Sequence, residues 1–328
     1  MGVLGVGGNN SHEKQLEQKA KVMRDRPERN LILGFATGIK IQDFYTFAVS
    51  ARKNCKDNVD IAIITDVSDE NISSISLKYN IIIIPTESSW LLIQKYLVAK
   101  MLYRIQISIL RLFCLLKTGS RFFFETELKK CLSRWMYPIA GRWFEYENFL
   151  KINLCYTNVM ISDVRDVFFQ ADPFANIDNS ELHLFAQNGM KFSADFERPD
   201  NHWYHSMYGV DEFNKAIGHP IICAGTIIGC SKTILRLVSI IVIEMTKRVY
   251  KIVDQPMLNK VIIDGGFNNV RIYSSNEGPV LTLCGDHSDL WRLEDEKVLV
   301  AGRPIPVVHM YDRVEVVKDL VTRKYNAM

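Results

Sequence analysis

Leu31-Ile32-Leu33-Gly34-Phe35-Ala36-Thr37 is an apolar run that ends at the turn pair Thr37-Gly38. Its length and composition predict a strand buried on both faces. A helix through Phe44 to Arg52 is expected next. The strand pattern then returns twice, in Asp60-Ile61-Ala62-Ile63-Ile64-Thr65-Asp66 and in Tyr79-Asn80-Ile81-Ile82-Ile83-Ile84-Pro85. Runs of β-branched residues separated by helix-length segments are what a parallel sheet covered by helices on both faces requires. Two long helical regions follow, Trp90 to about Lys117 and a second ending at Arg142 to Leu150, and then a strand at Thr157 to Ile161, expected at the centre of the sheet. Downstream, strands are expected at Glu181 to Ala186, Pro220 to Gly229, Val270 to Tyr273, Val280 to Leu283 and Lys297 to Val300. Helices are expected at Ser231 to Tyr250, Pro256 to Ile263 and Val314 to Tyr325. The fold class is α/β of the doubly wound type, with residues 1–29 as a polar, flexible or helical tail and 30–328 as one domain, since no repeat or low-complexity linker divides the chain.

Bulk properties narrow the function classes. With 328 residues, 48% of them hydrophobic, the chain can bury a sizeable core. A net charge of +3 argues against a nucleic-acid partner, so phosphate binding has to be local. The seven cysteines show no CxxC and read as reduced core thiols. No signal-peptide pattern opens the chain, and the apolar stretches Ile107 to Leu116 and Leu237 to Ile243 fall short of the ~20 residues a bilayer span needs. A soluble, cytoplasmic protein without a transmembrane segment is expected. Nothing in the sequence specifies an oligomer.

Four segments carry candidate chemistry. Met160-Ile161-Ser162-Asp163-Val164-Arg165-Asp166 places two carboxylates at the C-terminal end of a buried strand, where open α/β sheets bind ligands. Such a pair suits Mn²⁺ or Mg²⁺ with open positions for phosphate oxygens. The alternative is structural, with Asp163 capping a turn and Asp166 pairing with Arg165. Ala224-Gly225, inside the strand Ile221 to Gly229, admits close approach of a ligand to the backbone, or marks a bulge or tight helix contact. Asp254-Gln255-Pro256 opens a helix, so Asp254 either caps it or faces a hydroxyl-rich ligand. His309, at the end of Val307-Val308, is a metal ligand or a core histidine, and Arg313 could meet phosphate through both guanidinium donors.

The order of these four segments resembles that of glycosyltransferases of the GT-A fold, a Rossmann-like class with a mixed, mainly parallel sheet. Within it the likeness is to the glycogenin-like nucleotide-diphospho-sugar transferases and relatives with a Val-Arg-Asp version of the acidic motif, and it runs from about Leu31 to Arg313. The resemblance implies that Asp163 is the first carboxylate of the DxD metal motif, with Asp166 as the second because Arg165 occupies the usual second position. It implies a metal role for His309, a phosphate or positioning role for Arg165, and a place beside the transferred sugar and acceptor for Asp254 and Gln255. Ala224-Gly225 matches the segment near the donor, with Cys223 where the family commonly has Asn. Phe35, Ala36, Thr37 and Gly38 would line the nucleoside pocket. Arg142 would reach the donor, or else pair at the surface with Glu145 or Glu147.

The activity so implied is transfer of a sugar from a nucleoside-diphosphate donor to the hydroxyl of a glycan or glycoconjugate, assisted by Mn²⁺ or Mg²⁺. The relatives imply retention of configuration. If the reaction inverts, Asp254 is the candidate base. Trp203 and Tyr204 would stack on an acceptor sugar or belong to the core. The rival reading is a non-catalytic protein that binds a sugar nucleotide or carbohydrate on the same scaffold.

Overall fold

The structure is a computed structural model that describes residues 29–86, 97–115, 121–135, 138–247, 253–274, 277–284 and 289–325. The expected tail, apart from Arg29, and the expected helix start at Trp90 lie outside the described residues. Arg29 belongs to the folded body, because its guanidinium pairs with Asp60 at 2.5 Å and its carbonyl accepts from Thr157 N.

The first half is built as its periodicity predicts. Strand β1 (Asn30–Ala36) leads into helix α1 (Ile41–Asn54), strand β2 (Val59–Thr65), helix α2 (Glu70–Lys78) and strand β3 (Ile81–Pro85). The Asp69 carboxylate caps α2 by accepting from Asn71 N at 2.7 Å. Tyr79 and Asn80, read above as strand, instead form the turn into β3, with Asn80 at φ 51°. Arg52 on α1 donates to the carbonyls of Tyr79 and Asn80 and holds that turn.

Three described helices, not two, occupy the stretch before the central strand: α3 (Leu97–Leu115), α4 (Arg121–Trp135) and α5 (Pro138–Ile152). Strand β4 (Asn158–Asp163) then enters the sheet, and the short strand β5 (Val167–Phe169) leaves it. After β6 (Leu182–Lys191) come two helices with no counterpart in the sequence reading, α6 (Pro199–Tyr208) and α7 (Val210–Ala216). The chain continues through β7 (Pro220–Cys230), α8 (Ser231–Lys247), α9 (Asp254–Ile263), β8 (Val270–Tyr273) and β9 (Val280–Thr282). It ends with β10 (Trp291–Glu294), β11 (Lys297–Val300), β12 (Arg303–Pro304), β13 (Val307–His309) and α10 (Glu315–Tyr325). Strands β5, β10, β12 and β13 were not read from the sequence.

The main sheet has the order β3-β2-β1-β4-β7-β6-β8, so β4 is central as expected. All its pairings are parallel except those of β7, which runs antiparallel to β4 and β6. The protein is therefore mixed α/β with a mostly parallel sheet. Alternation along β1 divides the core. Leu31 and Leu33 pack under Trp143, Phe144 and the α8 residues Leu237 and Ile241, whereas Ile32 and Ala36 pack under Phe44, Phe47 and Ala48 of α1. A Cβ on Gly34 would lie 2.5 Å from Val164 Cγ2, so only glycine lets the turn after β4 fold down onto the sheet. Among the described residues no helix is long and apolar enough to cross a membrane.

Candidate metal centre and adjoining cleft

Asp163 is the last residue of β4 and stands beside Phe35 of β1 in the parallel register. From there the chain turns through Val164-Arg165-Asp166 into β5. A second small sheet, in the order β5-β13-β9, decides what happens next. In it β13 runs antiparallel to β5, with His309 opposite Val167, and parallel to β9, with His309 beside Thr282. That register carries the imidazole to the two carboxylates. His309 Nε2 lies 3.4 Å from Asp163 Oδ2 and 3.8 Å from Asp166 Oδ1.

The donor set fits a divalent cation. One ligand atom from each of Asp163, Asp166 and His309 lies within 4.8 Å of the others, and two carboxylates with an imidazole match Mn²⁺ or a similar ion. Gly225 of β7 leaves the room for this cluster, because a Cβ there would lie 2.5 Å from Asp163 Oδ2 and 2.7 Å from His309 Nε2. The close approach read from Ala224-Gly225 is thus made by the protein's own carboxylate and imidazole. On the far side of the ring, Nδ1 faces the Thr282 hydroxyl at 3.4 Å and the Cys223 sulfur at 3.6 Å.

Arg142 ties the cluster to the layer beneath. It donates to Asp163 Oδ1, to Asp254 Oδ2 at 2.7 Å and to the Ala224 carbonyl at 3.2 Å, and it is only 5% exposed. A surface pair with Glu145 or Glu147 is ruled out: Glu145 accepts from Ser133, and Glu147 pairs with Lys129 and Lys151. Asp254 is 3% exposed and also accepts from Trp143 Nε1 at 3.0 Å and from Gln255 N at 2.9 Å. The cap of α9 is Val253, so Asp254 is the first helical residue and not the cap. The Gln255 side chain accepts from Ala224 N and donates to Asp200 on α6.

The electrostatics follow from these contacts. Burial opposes ionisation of Asp163, but the Arg142 guanidinium and then His309 outweigh it and bring the carboxyl down to about 2. Burial pushes Asp166 up. Burial also works against charge on His309, yet the Cys223 sulfur and the two carboxylates hold its pKa well above the ordinary value.

A cleft of about 720 Å³ opens above the cluster. Phe35, Ala36, Thr37 and Gly38 form one wall and Asp163, Arg165 and Asp166 the floor, with Arg142 and Arg313 also at its surface. Lys40, Asp43, Asp312 and Lys318 line it as well and had not been singled out. Arg165 is exposed at this cleft, and its charge also acts on Asp166. Ala224, Gly225, Asp254, Gln255 and His309 are not among the described residues that line it. Tyr204 packs in the core against Phe192 and Phe213, which leaves only Trp203, 39% exposed, for a ligand. Trp143, Thr282 and Asp200 were missed because nothing in their local sequence marks them; each acts through a tertiary contact.

No protein-family model matches this sequence, and none of the curated proteins matches it at a significant level.

Proposed function

We propose that the chain is a metal-dependent glycosyltransferase. Within that class the site fits best the GT-A architecture of the glycogenin-like nucleotide-diphospho-sugar transferases, in the version with Val-Arg-Asp in the acidic motif. One observation carries this reading: Asp163 and Asp166, which form one potential metal cluster with the buried His309, line a cleft together with the C-terminal end of β1, from Phe35 to Gly38. Ligands of open α/β sheets bind at that edge.

A divalent cation held by Asp163, Asp166 and His309 supplies charge neutralisation for a diphosphate. The remaining work falls to side chains. Arg142 keeps Asp163 ionised and fixes its direction, which leaves Oδ2 turned towards His309. Arg165 and Arg313 offer guanidinium donors at the cleft surface, a geometry suited to phosphate oxygens. Both oxygens of Asp254 already accept hydrogen bonds, so its role is to position Arg142 and Trp143. Proton removal from the acceptor hydroxyl then falls to the departing phosphate, which favours retention of configuration over inversion. The acceptor is a glycan or glycoconjugate.

The test is hydrolysis and transfer with a panel of nucleoside-diphosphate sugars, with Mn²⁺ and with chelator. Metal-dependent turnover of one donor, lost in Asp163→Ala and Asp166→Ala, is expected. Tight metal-dependent binding of a donor without any turnover would replace this reading with that of a sugar-nucleotide-binding protein.

A further inference from the structure

Helix α3 lies against α4 and sends Tyr103, Ile107 and Leu110 towards the core. Its opposite side is also apolar. Val98, Met101, Leu102, Ile105, Ile109 and Leu112 are each 48 to 64% exposed. Five of them, at 98, 102, 105, 109 and 112, follow one another at spacings of four and three. That is the 3.5-residue repeat of a seam made for a second helix.

Charge points to the same kind of partner. The helix has no acidic residue, and Arg104, its basic residue with a described side chain, falls away from the seam in the heptad frame. The positions that flank the seam, Ala99, Met101, Gln106 and Ser108, are all uncharged. Two identical seams can therefore meet without like charges facing each other across the edge. The helix has 19 residues, about 28 Å at 1.5 Å per residue, long enough for two heptads of contact. Two such stripes would bury on the order of 1,000 Å², the lower bound for a specific interface.

We infer that the exposed seam of α3 is a homodimer interface, in which Leu102, Ile105 and Ile109 of one copy pack against the same residues of a second copy about a two-fold axis. It stands apart from the metal centre and does not depend on the glycosyltransferase reading.

Light scattering on the eluting full chain reads the mass directly. Twice the chain mass is expected at micromolar concentration. L102E/I109E should elute at the single-chain mass with unchanged circular dichroism, since both side chains are exposed in the single chain, and should melt below the dimeric wild type by the stabilisation that association supplies. Ile105 is at the middle of the seam, so Ile105→Cys under mild oxidation should give a disulfide between two introduced thiols, located by mass spectrometry and absent from the wild type. A wild-type monomer at every concentration, a double variant that remains dimeric, or a monomer that binds vesicles of anionic phospholipid through this helix would each overturn the inference.

Discussion

The His309 imidazole lies where a side chain on Gly225 would be: an added Cβ would stand 2.7 Å from His309 Nε2. Strand β7 therefore has to present bare backbone at this point for the histidine to reach Asp163 and Asp166. Gly225→Ala should force the ring away from the carboxylates. The expected cost is about 1–3 kcal/mol of overpacking, together with loss of the Mn²⁺-induced rise in melting temperature. An alanine variant that keeps the full Mn²⁺ response in a thermal melt would contradict this account of the strand.

Metal binding should compete with a proton. The pKa of His309 is raised, so in the metal-free protein its charged form stabilises the fold fully below the ordinary histidine value of about 6.5, and this contribution is lost as pH rises through the raised value. A cation needs the neutral ring. The Mn²⁺-induced rise in melting temperature should accordingly be smallest below the ordinary histidine value and grow as pH rises through the raised value. In His309→Gln the response should be weaker and nearly flat with pH.

Arg142 is the single cation shared by Asp163 and Asp254. Its removal leaves the Asp254 carboxylate buried beside Trp143 without a counter-charge, and Arg142→Ala should cost about 3–5 kcal/mol in a urea titration. Arg142→Lys should recover only part of this, because an ammonium cannot span both carboxylates as the guanidinium fork does. A loss under about 1 kcal/mol for Arg142→Ala would mean that the pair is solvated in solution.

The thiols offer a check that does not involve the metal. Cys55, Cys131, Cys223 and Cys230 are free thiols. Burial pushes Cys55 up to about 12 and Cys131 up to about 11. Neither should be alkylated by iodoacetamide at about pH 8 in the native protein, because the thiolate is the reacting species. Both should react after unfolding. Rapid labelling of Cys55 in the native state would show that α1 opens away from its neighbours.

The sequence alone determined β1, β2 and β4, because a buried strand needs an uninterrupted apolar run and that need is local, and it marked the edge strand β3 by a run of the same kind. It also placed Asp163 at the end of its strand and Asp166 just beyond it, since a strand end follows from where the apolar run stops, whereas the order of the strands in the sheet came from the tertiary structure. What joins the site was decided only by the tertiary structure. His309 reaches Asp166 through the pairing of two three-residue strands, β5 and β13, neither of which was read from the sequence. Arg142 turns from its neighbouring glutamates to Asp163 and Asp254 because α5 packs its face inward over β4 and α9. Asp254, readable as a cap, became a buried partner by the same packing. Contacts of this kind depend on the register and angle at which distant segments meet, and the free energy that sets them is spread over the whole core and not written in any one segment.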